Sequence, residues 1–349
     1  MDNKQIYAQL PGVLLPWYES HHRDLPWRQD KNPYHIWVSE IMLQQTRVEA
    51  VKGYYSRFLE KLPTVADLAN ADDELLHKLW EGLGYYSRVR NLKKAARQIA
   101  ERHNGVFPNT HEEVSALAGI GPYTAGAICS IAFDLPTPAV DGNVLRVISR
   151  LTNDDTPIDK PAFRKMITEN LAAVYPDRAG DFTQALMELG ATVCGPNRKP
   201  DCAQCPCSAF CRAYALGTAE NLPVKKARQE RRVEEKTVFI LSCDGFYALE
   251  KRPHKGLLAD LWQFPNVTGK LEIPEIMKQV ESLSIKPVDI LRQVEKKHIF
   301  THIEWHMCGV YMEVKEKSGD FIWMDREHIQ TEAALPTAFR QFWEEVSYV

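Results

Sequence analysis

The chain has 349 residues, 44% of them hydrophobic and 26% charged, with a net charge of −3. That length accommodates two ordinary domains, and the composition excludes a disordered, fibrous or collagen-like protein. No apolar run is long enough to span a membrane, and Met1–Pro11 lacks the basic start and apolar core of a secretory signal.

The first 215 residues carry helical periodicity. Ser39–Phe58 spaces Ile41, Val48, Val51, Tyr55 and Phe58 as one helix, and Asp72–Leu83 and Ser87–His103 follow. Asn104-Gly105 stops the last of these. Within it Arg88, Arg90, Lys93, Lys94, Arg97 and Arg102 concentrate positive charge beside a single acid, Glu101. Glu112–Leu117 and Tyr123–Phe133 read as helices flanking Gly119-Ile120-Gly121. Such a glycine hairpin lets phosphate oxygens approach backbone N–H groups at a helix N-terminus, so Gly119 and Gly121 are candidate DNA-backbone contacts. Another helix follows Asp141, and Phe182–Val193 is apolar and helical up to the first clustered cysteine.

Five of the eight cysteines lie between Cys194 and Cys211, spaced Cys194-x7-Cys202-x2-Cys205-x5-Cys211 with Cys207 inside the last interval. In an intracellular chain this points to a metal centre over disulfides. Tetrahedral zinc and a cubane iron–sulfur cluster both fit four thiolates, and the single C-x2-C knuckle favours the cluster. Beyond residue 218 the pattern changes. Residues 219–236 read as a charged interdomain linker, and 237–349 as an α+β domain. Its strands are expected at Thr237–Ser242, Gly245–Glu250, His298–Glu304 and Met307–Val314, with helices at Ile273–Leu283 and Thr337–Val346.

Two carboxylates stand out in the helical half. Asp141, in Ala139-Val140-Asp141-Gly142-Asn143, reads as an N-cap whose helix dipole and donors keep it ionised. Capping alone accounts for it equally well. Glu40 reads as opening a helix among Trp37, Ile41 and Leu43, where apolar neighbours raise its pKa and suit it to act as a general acid. A protonated acid and a fixed carboxylate together serve glycosidic-bond cleavage through an oxocarbenium-like sugar.

Leu25-Pro26-Trp27-Arg28, Ser39–Thr46, Gly82–Arg88, Ala139–Val144 and the cysteine cluster, in that order, resemble the endonuclease III superfamily of helix–hairpin–helix glycosylases. Within it the chain is similar to the MutY type of adenine DNA glycosylase, densely over residues 5–215 and loosely beyond. The resemblance implies an all-α glycosylase domain (1–218) holding one 4Fe–4S cluster on Cys194, Cys202, Cys205 and Cys211, in a loop spanning 194–211. It also implies a Nudix-like lesion-recognition domain. By the same resemblance Glu40 protonates adenine and Asp141 stabilises the sugar cation, with Tyr123 and Asn143 lining the site. Trp27, Arg28, Leu43 and Gln184 form the base pocket. Gln44, Gln45, Thr46, Leu83, Tyr85 and Arg88 meet the duplex, one of Tyr85 and Tyr86 being ordinary core. Phe300-Thr301-His302 inspects 8-oxoguanine.

Position 123 holds tyrosine where strand-cleaving relatives hold the Schiff-base lysine, so the expected activity is monofunctional. Lys255–Pro265 resembles the segment before a Nudix helix, but the acidic metal-binding box is missing after it, which disfavours pyrophosphate hydrolysis. An endonuclease III-type pyrimidine glycosylase/lyase and a non-catalytic scanning protein are the remaining alternatives. Three departures from the family pattern stand out. The first cysteine interval is seven residues instead of six, with Cys207 as a nearby substitute ligand; Ala118 replaces a proline; Thr301 replaces a serine. The expected partner is duplex DNA with A·8-oxoguanine or A·G mispairs. A monomer is expected, cytoplasmic and nucleoid-associated in a bacterium.

Overall fold

The structure, a computed structural model, describes residues 2–196, 199–226 and 230–348. The chain divides into two compact units, Met1–Asn70 with Arg90–Ala227, and Ala71–Val89 with Arg228–Val349. The division near residue 227 falls inside the charged stretch 219–236. Residues 227–229 of that stretch lie outside the described residues, and Arg232–Lys236 already belong to a strand.

Helices follow one another from the start: α1 (Asn3–His21), α2 (Pro33–Leu43), α3 (Val48–Lys61), α4 (Val65–Asn70), α5 (Asp73–Leu79), α6 (Ser87–Arg102), α7 (His111–Ser115), α8 (Pro122–Phe133), α9 (Gly142–Thr152), α10 (Pro161–Ala172), α11 (Ala179–Thr192) and α12 (Arg212–Ala215). Of these, α5 and the first residues of α6 fall in the second unit. Helix α1 keeps its course despite Pro11 and Pro16, held at its start by a reciprocal Asp2–Gln5 capping box. Its buried stripe of Ile6, Leu10, Leu14 and Tyr18 joins Val144, Leu151, Ile167, Phe182 and Leu186 in one core.

Two expectations are corrected here. Ser39–Phe58 is not one helix: α2 stops at Leu43, Gln45 turns left-handed at φ 59°, and α3 restarts at Val48. Glu40 therefore sits in the last turn of α2, which really begins at the Asn32 N-cap with Pro33 in the first position. Apolar spacing crossed the break because both helices bury apolar residues close to it, Ile41 and Met42 in α2 and Val51, Tyr55 and Phe58 in α3.

In the second unit a mixed sheet runs in the order β3 (Trp262–Gln263), β2 (Phe246–Lys251), β1 (Arg232–Cys243), β6 (Ile303–Val314), β5 (Pro287–Ile299). Strand β4 (Asn266–Thr268) pairs with β1, and β7 (Ile322–Asp325) with β2. Strands β1 and β6 are parallel, and the other pairs are antiparallel. Both faces of β1 are covered, Val238 and Ile240 on one side and Phe239 and Leu241 on the other. That is why its stretch Val238–Leu241 is continuously apolar. Helices α13 (Ile273–Ser282), α14 (Arg326–Thr331) and α15 (Thr337–Trp343) accompany the sheet. The expected strand His298–Glu304 is instead the turn of a long hairpin: β5 ends at Ile299, and the Phe300 N–H donates to the Ile303 carbonyl at 2.8 Å.

Candidate active site

In the first unit a cavity of about 530 Å³ opens between the end of α2, the start of α8, the start of α9 and α11. Its volume suits a nucleobase with its sugar, within the range of small-molecule pockets. Glu40, Tyr123, Asp141 and Asn143 all line it. The Tyr123 hydroxyl donates to Glu40 Oε2 at 2.6 Å. Burial pushes the Glu40 carboxyl up to about 7; the Tyr123 hydrogen bond pulls it down, and the charge of Asp141 pushes it up again. Its place at the C-terminal end of α2 faces it with the negative end of the helix dipole, which acts in the same direction as burial.

Asp141 is the N-cap of α9, accepting from Val144 N at 2.7 Å, while Asn143 Nδ2 donates to its other oxygen at 2.7 Å. Burial nevertheless raises its pKa against these donors and Arg146, so the donors do not hold it below the ordinary carboxylate value as its capping position implies. Asn143 is held in turn: Arg146 Nη2 donates to its Oδ1 at 2.8 Å and to the Gly190 carbonyl at 2.7 Å. Two close backbone approaches bring these groups together. A Cβ on Gly126 of α8 would strike the Pro138 carbonyl in the segment before α9, and one on Gly190 of α11 would meet Asn143 Cβ at 2.7 Å.

Trp27, Arg28, Leu43 and Gln184 line the same cavity. Sequence reasoning passed over Glu188, which lines it too and whose side chain is fully buried. Its Oε2 accepts from Arg28 Nη2 at 2.8 Å, and its Oε1 from Arg23 Nε at 2.7 Å. Burial raises the Glu188 pKa, but the two arginines outweigh it and the net direction is downward. An acid at an otherwise apolar position of α11, four residues after Gln184, was the available signal. The pocket thus contains three carboxylates: one near neutrality, one held by α9, and one neutralised by cations.

Gln44, Gln45 and Thr46 also border the cavity, Gln44 donating to Thr124 Oγ1 at 3.3 Å and Gln45 standing exposed on its left-handed turn. The glycine hairpin forms between α7 and α8: Gly119 adopts φ 76°, Gly121 caps α8, and Pro122 starts it. Only glycine fits at 119, where a Cβ would also strike Asn91 at 2.6 Å. The hairpin is tied back by Gln98 Oε1, which accepts from Ala118 N at 2.7 Å. The basic run is not a uniform solvated face. Lys94, Arg97 and Arg102 are exposed, whereas Lys93 and Arg88 are buried.

In the second unit Tyr86 and Leu83 are buried and Tyr85 is 47% exposed, so Tyr86 is the core tyrosine of the pair. Arg88 is turned inward, donating to the Leu83 and Gly84 carbonyls at 3.0 and 3.1 Å. Thr301 and His302 are exposed at the β5–β6 turn. Phe300 packs edge-on against Trp305 and His298, at 4.8 and 4.5 Å between centroids. The Tyr85 hydroxyl lies 3.2 Å from Thr301 Oγ1, which joins two motifs 216 residues apart.

Cys194, Cys202, Cys205 and Cys211 line a second cavity of the first unit, beside Val147, Arg150 and Leu189. Cys207 is fully buried and belongs to the core instead of that lining. Arg150 Nη1 donates to Cys194 Sγ at 3.2 Å and to the carbonyls of Cys194 and Gly195. Such donors offset the negative charge of a thiolate-bound cluster. Among the described residues no three His, Cys, Asp or Glu side chains converge closely enough to hold a single metal ion. Asn197 and Arg198, in the irregular first interval, lie outside the described residues.

Residues 38–172 match the HhH-GPD superfamily of base excision DNA repair proteins, and residues 237–345 match the NUDIX domain. The adenine DNA glycosylase of Rattus norvegicus is 38% identical over 354 residues, covering 83% of this chain and 68% of its own. That of Homo sapiens is 36% identical over 402 residues, covering 95% and 72%. A solved thermostable thymine-DNA glycosylase superposes with a TM-score of 0.53 at 27% identity, over 61% of this chain and 97% of its own. The chain is a base excision DNA glycosylase belonging to the adenine DNA glycosylase family, with an HhH-GPD helical domain followed by a Nudix-like domain.

Proposed function

We propose that this chain hydrolyses the N-glycosidic bond of adenine mispaired with 8-oxoguanine, or less efficiently with guanine, in duplex DNA, without cutting the strand. The observation that carries this reading is the shared cavity of Glu40, near neutrality, and Asp141, fixed at a helix start. The flipped adenine enters that cavity, whose Arg28–Glu188 wall offers polar partners to its edge. Protonated Glu40 gives its proton to a ring nitrogen of the base. The electron pair of the C1′–N bond leaves with the base, and the positive charge on the sugar faces Asp141. Water then attacks the sugar carbon, and the Glu40 carboxylate takes up its proton. Tyr123 orients Glu40, and its phenol cannot form the imine needed for strand cleavage.

Four thiols around one cavity with an arginine donor fit a 4Fe–4S cluster, which Cys194, Cys202, Cys205 and Cys211 would hold. When bound, such a cluster would tie the four cysteines together and contribute folding energy. Thr301, set between exposed His302 and anchored Phe300, is the group offered to 8-oxoguanine. Single-turnover release from A·8-oxoguanine, A·G and thymine-glycol duplexes tests the reading. Adenine release from the first two is expected, with no borohydride-trapped adduct; thymine-glycol release or strong trapping overturns it. Glu40→Gln is expected to bind the mispair and release no base.

A further inference from the structure

The turn that carries Tyr85 is bent against the preferences of its own residues. Gly82 and Gly84 have φ of 99° and 70°, and Tyr85 itself is left-handed at φ 49°. For a residue with a Cβ that conformation is sterically costly, and it persists only where the surroundings overdetermine it. Arg88 supplies much of that surrounding. Its guanidinium reaches the carbonyls of Leu83 and Gly84, and its own N–H donates to the Tyr85 carbonyl at 2.9 Å. The same guanidinium lies over the Trp80 ring at 5.3 Å and over the Tyr85 ring at 5.6 Å. Trp80 Nε1 also donates to the Gly84 carbonyl, at 3.1 Å. Burial draws the Arg88 pKa down to about 10, in keeping with a cation used inside the fold.

We propose that Arg88 is a positioning residue for lesion recognition, acting through the Gly82–Tyr85 turn to set where the Tyr85 ring and hydroxyl stand beside Thr301, and not by gripping phosphate. This rests on the reading of Tyr85 and Thr301 as the lesion-facing pair. The chemistry requires arginine: a planar guanidinium can lie against aromatic rings while its in-plane N–H groups bond two carbonyls. Both bonds leave one terminal nitrogen, Nη2; a lysine ammonium keeps the charge but loses the planar face that lies against Trp80 and Tyr85.

The test compares wild type, Arg88→Lys, Tyr85→Leu and the double variant, with melting temperatures recorded. The readouts are single-turnover adenine release from A·8-oxoguanine and A·G duplexes, the salt dependence of duplex binding, and the fluorescence of 2-aminopurine placed next to the 8-oxoguanine. Arg88→Lys is expected to lose about tenfold of the preference for A·8-oxoguanine over A·G, and to lose nothing further in the Tyr85→Leu background. It is also expected to lower the 2-aminopurine signal and leave the salt slope unchanged. Wild-type preference in Arg88→Lys overturns the proposal, as do losses that multiply with those of Tyr85→Leu. So does a salt slope shallower by about one, the signature of a lost phosphate contact. If Arg88→Lys does not fold, Trp80→Phe, which removes the indole bond to Gly84 and part of the ring face beneath the guanidinium, carries the same expectations for preference and fluorescence, and wild-type values of both overturn the proposal. Should wild type itself show no preference for A·8-oxoguanine, the functional reading fails. The fluorescence then still decides Arg88: an unchanged signal overturns it, and a lowered one supports it.

Discussion

Glu40 is costly to the fold in the state above neutrality, and that is what suits it to its proposed chemistry. Its folded pKa of about 7 exceeds its ordinary 4.5, so the folded chain holds the extra proton and loses stability as pH rises from about 4.5 to 7. Glu40→Gln removes that slope. It should be more stable than wild type at pH 8, by about 3 kcal/mol from a shift of that size, and nearly equal at pH 4.5. Urea denaturation at the two pH values checks this, and equal stability at pH 8 contradicts it. The same titration predicts that kcat/KM falls about tenfold per pH unit above about 7. Glu188 has the opposite sign. Its buried charge is neutralised by Arg23 and Arg28, so Glu188→Gln should cost about 3 kcal/mol by leaving the part-buried guanidinium groups of both short of a partner. A melting temperature equal to wild type would show that those pairs contribute little. Residue types and motifs made Glu40, Asp141 and Tyr123 visible in the sequence. Glu188 was not visible, because its meaning lies in partners 160 and 165 residues away.

Among the elements, the decisive contacts are those between helices that approach without side chains. Gly190 of α11 lies against Asn143 of α9, which in turn holds Asp141. Gly190→Ala is therefore expected to displace Asn143 and slow adenine release by about tenfold or more, the effect of one lost hydrogen bond to a charged group. Crystallography of the variant should show the Asn143–Asp141 bond lengthened; unchanged geometry with full activity refutes the argument. Helix existence was legible from periodicity and from stop signals such as Asn104-Gly105, both left-handed here. Helix α1 was hidden by two internal prolines. The α2–α3 break was hidden because apolar spacing does not register one left-handed glutamine. The place of Glu40 at the end of α2 instead of the start turns the negative end of the helix dipole toward it, in the same upward direction as its apolar surroundings.

For the molecule as a whole, the second unit is not simply the C-terminal part of the chain. Ala71–Val89 belongs to it: Lys78 Nζ donates to the Ala333 carbonyl at 3.1 Å, Leu335 N to Glu81 Oε1 at 3.0 Å, and Trp262 Nε1 to Glu74 Oε2 at 3.1 Å. A chain ending at residue 226 should therefore show faster amide hydrogen exchange across α5 than the full chain, and equal exchange would contradict that dependence. The sequence by itself determined the order of the modules, the chemistry carried by each motif and the helical or sheet character of each half. These follow from local periodicity, turn residues and side-chain type. Only the tertiary structure decided which cations neutralise Glu188, that Arg88 turns inward, that Cys207 joins the core, and that Tyr85 meets Thr301. Each of these depends on which distant surfaces close upon one another, and burial, not residue type, sets the charge and exposure that result.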